Sequence, residues 1–91
     1  MKPDDVCELY SEKSVALTLR LLDDNNDNPM VLIEGTAETL KMFAELLLAV
    51  SKSSAGSGFS ISPKGAGSFH FSKVSKLGMY INKIETQDSQ S

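Results

Sequence analysis

One run in this 91-residue chain is long and periodic enough to form a substantial helix, and every other element has to be arranged around it. It reads AETLKMFAELLLAVSK, residues 37–52. Leu40, Phe43, Leu47 and Val50 recur at helical spacing, and Met42, Ala44 and Leu46 widen the apolar stripe. Glu38, Lys41, Glu45 and Lys52 mark the solvated side. Gly35 closes the preceding segment, and Thr36 stands where a hydroxyl can accept from a free backbone N–H of the first turn. Glu38 then falls where the helix dipole favours a negative charge. The small residues of SSAGSG end the run.

The flanks have period two. In SVALTLRLL, Val15, Leu17, Leu19 and Leu21 alternate with Ala16, Thr18, Arg20 and Leu22, which predicts a strand with one face in the core. MVLIEG is a second, β-branched run, and the polar DDNNDNP between them predicts a hairpin with a long connection. After the helix, GFSISP, SFHFS and KLGMYINKI alternate again, with PKGAG as a turn cluster. The expected fold is α+β, a single amphipathic helix packed on a four- or five-stranded mainly antiparallel sheet, in the order β-β-α-β-β-β. The second sheet face would carry Thr18, Arg20, Ser60, Ser62, His70, Tyr80 and Asn82. The chain reads as one domain, 1–91, with residues 1–12 and 85–91 as poorly ordered ends; Val6, Cys7, Leu9 and Tyr10 give at most a short extended piece.

Size and charge bound the function. A chain of this length buries roughly 60–65% of its unfolded surface, enough for one core but hardly for a deep substrate cavity. The single cysteine, Cys7, leaves no internal disulfide and no thiolate zinc site. MKPDDVCELYSEK lacks the apolar core of a signal peptide, and LLLAV is far shorter than the ~20 residues that span a bilayer, so the expected address is cytoplasmic, without a membrane partner. Residues 1–45 hold four basic and ten acidic side chains, net -6, whereas residues 46–91 hold five lysines against Glu85 and Asp88, net +3. The acidic half repels phosphates and the basic half has no arginine, so nucleic acid is not an expected partner.

The motifs that resemble chemistry have simpler readings. DDNNDNPMVLIE places Asp23, Asn25 and Asp27 at the first, third and fifth positions of a calcium loop, with Glu34 twelfth. Asn28 stands where that loop needs glycine, and both flanks are strand-like rather than helical, so the stretch reads as a solvated acidic turn. His70, the only histidine, has no nucleophile motif beside it; its place between Phe69 and Phe71 predicts a strand residue facing away from the core, toward solvent or a partner. Cys7 reads as a small apolar residue, since no base or helix start is evident beside it. SSAGSG and PKGAG do not match phosphate-loop spacing. No catalytic residue, cofactor or metal is expected.

VLIEGTAETLKMFAELLLAV resembles the central segment of small bacterial immunity proteins of polymorphic toxin systems: a strand ending in glycine, a short acidic helix start, then Leu-x-x-Leu/Phe-Ala-x-Leu-Leu. Gly35, Glu38, Leu40, Phe43, Ala44, Leu46 and Leu47 carry it. SFHFS and KLGMYI extend the likeness, which covers about residues 30 to 82. Thr39 departs from it, standing where the family usually has a smaller residue. The resemblance implies a protein that binds and neutralises a cognate toxin, and it carries over no binding residue.

The expected function is therefore non-catalytic protein binding, as an immunity-type inhibitor of a basic toxin domain. The alternative is a small homo-oligomeric domain, such as a homodimer, with a structural or regulatory role. A hydrolase using His70 is a third reading. An acidic patch steers association with a basic partner, and charge and position nominate Asp23, Asp24, Asp27 and Glu34 first and His70 second. Charge reversal at Asp23, Asp24 and Asp27 is expected to slow association with a basic partner by about tenfold at low salt, as measured by stopped-flow; an unchanged on-rate removes the loop from the interface.

Overall fold

In a computed structural model, which describes residues 1–22 and 29–86, the N-terminal segment is helical. Pro3–Leu9 form α1. Proline is preorganised for a first helical turn, Asp4 and Asp5 favour its positive end, and the Lys2 N–H donates to Asp5 Oδ2 at 3.0 Å. Val6 and Tyr10, four residues apart, are both buried. The short extended piece expected around residues 6–10 is thus replaced by helix; of the other expected frayed end, residues 87–91 lie outside the described residues. Seven residues do not form a stable helix alone; α1 exists because it packs on the long helix.

That long helix, α2, runs from Ala37 to Ser51, with Thr36 Oγ1 accepting from the Thr39 N–H at 3.2 Å as the N-cap reading expected. Its inward face differs from the expected stripe. Thr39, Met42, Leu46, Ala49 and Val50 are buried, whereas Leu40, Leu47 and Leu48 are exposed. The helix is apolar over so wide an arc that periodicity does not select the face. Specific bonds do: buried Thr39 Oγ1 accepts from the Ala16 N–H at 3.1 Å, and the Tyr10 hydroxyl donates to Glu45 Oε2 at 3.0 Å. Thr39 also closes over Gly35, where an added Cβ would meet the Thr39 Cγ2 at 2.6 Å.

The strands form two separate two-stranded antiparallel sheets, not one sheet of four or five. β1 (Thr18–Leu21) pairs with β2 (Val31–Glu34), placing Thr18 opposite Glu34, Leu19 opposite Ile33, Arg20 opposite Leu32 and Leu21 opposite Val31. β3 (Phe59–Ile61) pairs with β4 (Met79–Ile81), with Phe59 opposite Ile81 and Ile61 opposite Met79. The expected strand SFHFS is absent: Ser68–His70 form a 3₁₀ turn. Gly67, in the left-handed region at φ 76°, starts it, and a Cβ there would meet Ile61 Cγ2 at 2.6 Å.

Residues 70–77 close over the free side of β1 and its lead-in without becoming a regular strand. The Leu17 N–H donates to the His70 carbonyl at 2.8 Å, and the Ser72 N–H donates to the Leu17 carbonyl at 2.8 Å. Both the Lys76 and Leu77 N–H groups donate to the Leu19 carbonyl at 2.9 Å. Where a strand would supply a carbonyl, the buried Ser75 hydroxyl accepts from the Leu19 N–H at 2.8 Å. Thr18, expected on a solvated face, is buried with its hydroxyl 2.6 Å from that of Ser72. The core formed around these bonds contains Val6, Tyr10, Val15, Leu17, Leu19, Met42, Leu46, Ala49, Ile61 and Phe71.

The buried face of α2 and the Ser75 bond are both open to mutation. Leu46→Ala is expected to lower the unfolding free energy by about 2–5 kcal/mol, and Leu47→Ala by less than about 1 kcal/mol, in denaturant titrations; the reverse order would reassign the buried helix face. Ser75→Ala is expected to cost about 1–3 kcal/mol in the same assay, because it leaves the Leu19 N–H buried without its acceptor.

Candidate protein-binding surface

The residues nominated from the sequence do not form one site. Asp23, Asp24 and Asp27 lie outside the described residues. Glu34 is exposed at the end of β2. His70 is 1% exposed and belongs to the core, not to a partner-facing strand. Among the described residues, no group of three histidine, cysteine or acidic side chains comes together as a metal site. The strands β1 and β2 stand on either side of the acidic connection, where a calcium loop of the helix-loop-helix type would have helices.

His70 escapes its expected position because the 3₁₀ turn replaces period two with period three. His70 and Phe71 both turn inward, while Phe69 is exposed. The His70 Nε2 lies 3.1 Å from the Cys7 carbonyl of α1. A carbonyl only accepts, so Nε2 carries the hydrogen and Nδ1 is bare. Nδ1 is buried with no hydrogen-bond partner among the described residues. Burial lowers the imidazole pKa, and the Cys7 carbonyl opposes that in part. Cys7 is half-buried, and burial followed by the nearby Asp4 charge pushes its thiol pKa up, the opposite of an activated nucleophile. Burial, followed by the Glu45 hydrogen bond, also raises the Tyr10 pKa.

A shallow groove between the start of α1 and the end of α2 is lined by Lys2, Asp4, Lys52, Ser53, Ser57 and Phe59 among others. Its two lysines share the lining with Asp4, and Lys52 caps the negative end of the α2 dipole, so the groove presents no uniform field to an anion.

The hairpin presents a more coherent surface. Directly opposed residues of an antiparallel pair share a face, so the register puts Leu19, Leu21, Val31 and Ile33 together. Leu19 is in the core, but Leu21, Val31 and Ile33 are 56, 52 and 43% exposed. The apolar face of the hairpin therefore continues past the core that covers its base. The outer edge of β2 has no strand beside it among the described residues, which leaves a row of backbone donors and acceptors for an added strand. Arg20, Leu32, Thr18 and Glu34 occupy the opposite face. In sequence, Asp23, Asp24 and Asp27 connect the apolar ends of the two strands.

Sequence reasoning put the Leu21 face of the first strand in the core and read MVLIEG only as an apolar run, because alternation reports which face is apolar and not whether anything covers it. The available signal was the number of apolar strand residues set against one helix of moderate length. The chain matches no family model, no curated protein and no solved structure in the comparisons made with each.

Proposed function

We propose that this chain is a non-catalytic protein-binding domain, an immunity-type inhibitor that docks a basic toxin domain along the β2 edge. The observation that carries this reading is the hairpin surface itself: exposed Leu21, Val31 and Ile33 beside an unpaired strand edge, with carboxylates in the connecting sequence and at Glu34. An extended segment of the partner adds to β2 through backbone hydrogen bonds, and its alternate side chains cover Val31 and Ile33. Basic residues flanking that segment meet the acidic connection and Glu34, which accelerates encounter and favours cationic partners. The sequence resemblance to immunity proteins supports the same reading.

The same edge favours a second reading, a homo-oligomeric structural or regulatory domain. An edge strand can pair antiparallel with its own copy about a two-fold axis, and a two-stranded hairpin gains stability from additional strands.

The test is capture with wild-type and Ile33→Lys baits, followed by coexpression of any captured basic domain with this chain. The inhibitor reading expects a one-to-one complex with a basic toxin domain, loss of toxicity on coexpression, and affinity weakened about tenfold or more by Ile33→Lys, as for a contact of about 1.4 kcal/mol or more. Recovery of the bait alone, as a dimer that Ile33→Lys dissociates in sedimentation measurements, replaces this reading with self-association.

A further inference from the structure

His70 joins three parts of the fold. Its backbone carbonyl accepts from Leu17 beside β1, its backbone N–H closes the 3₁₀ turn by donating to the Gly67 carbonyl at 2.9 Å, and its ring Nε2 donates to the Cys7 carbonyl in α1. We infer that His70 is an acid-sensitive clasp: protonation of its bare, buried Nδ1 releases α1 from the 3₁₀ turn and uncovers the part of α2 on which α1 packs.

The surroundings of the ring offer no compensation for a proton. Protonation adds an N–H at Nδ1, where no acceptor lies among the described residues, and it adds a charge to the core. From α1, the titratable groups brought toward this region are the Cys7 thiol and, at the helix end, the Tyr10 hydroxyl. Tyr10 is already bonded to Glu45 of α2, and Asp4 is the carboxylate that acts on Cys7. Residues 15–19, which meet His70 through Leu17, contain no titratable side chain, and neither does the buried face of α2. The ring's nearest aromatic neighbour is Phe69, with centroids 4.1 Å apart. Among the described residues no carboxylate hydrogen-bonds the imidazole, whose Nε2 bonds the Cys7 carbonyl.

The direction with pH follows from linkage. An imidazole held below its ordinary pKa binds fewer protons when docked than when released. The docked state is therefore fully favoured above about pH 6.5 and loses stability as the pH falls below it. The weak element yields first: α1 is seven residues long, and its hold includes buried Val6 and Tyr10, the Tyr10–Glu45 bond and the Cys7–His70 bond.

Cys7, the only cysteine, reports the release directly. Its labelling by dithiodipyridine, normalised to an unstructured cysteine peptide at each pH, is to be followed from about pH 7.5 to about pH 5, across the ordinary imidazole range. The expected result is a normalised rate that rises below about pH 6.5, by at most about tenfold per pH unit, while NMR signals of Met42 and Leu46 keep native dispersion. His70→Gln retains an N–H donor but does not titrate, and its rate is expected to be flat with pH. A flat wild-type rate, or a rise that persists in His70→Gln, overturns the clasp. If that variant does not fold, NMR titration of the wild-type chain decides: α1 signals moving with the His70 ring protons ahead of α2 support the clasp, and joint loss of both helices, or no response of α1, overturns it.

Discussion

The backbone around Leu17 and Leu19 is bonded to residues 70–77 on one side, and β1 is bonded to β2 on the other. That contact, made between segments more than fifty residues apart, is the constraint from which the other placements follow. It draws His70 and Phe71 into the core, seats the Ser75 hydroxyl against the Leu19 backbone, and buries Thr18 against Ser72. It also separates the chain's strands into two small sheets, because the segment that flanks β1 approaches as an irregular run with side-chain acceptors and not as a continuous strand.

The cost of such a fold is incomplete coverage. A 91-residue chain has a high ratio of surface to volume. Its core engages the base of the hairpin at Leu19 and leaves Leu21, Val31 and Ile33 beyond it. The long helix has the same surplus, with Leu40, Leu47 and Leu48 exposed. Apolar surface left on a strand whose outer edge has no partner among the described residues is suited to association, and in the proposed role the acidic sequence beside it favours basic partners. The proposed binding role therefore rests on surface that the fold leaves uncovered, while the buried histidine belongs to the way the N-terminal helix is held.

Local signals identified the elements that local chemistry controls. Thr36 was legible as a cap, the 37–52 run as a helix, and SVALTLRLL with MVLIEG as paired strands. The signal for α1 was also present, in Pro3 followed by two acidic residues and in the four-residue spacing of Val6 and Tyr10, but a helix that short depends on packing for its existence. SFHFS misled because alternation of Phe69 and Phe71 is the same pattern whether the chain extends or turns after Gly67. The positive φ of Gly67 and its close approach to Ile61 decide between them, and neither is visible in alternation.

By itself the sequence determined the positions of the long helix and its cap, the antiparallel hairpin, the acidic balance of the first half and the lack of a long apolar span. These follow from side-chain periodicity, capping chemistry and charge, all of which act over a few residues. Only the tertiary structure decided which face of α2 is buried, that the strands form two sheets, that His70 lies inside against Cys7, and that the hairpin's apolar face is left open. Those outcomes depend on bonds such as Thr39 to Ala16 and Leu19 to Ser75, whose partners are 23 and 56 residues apart, and on how much surface a small core can reach.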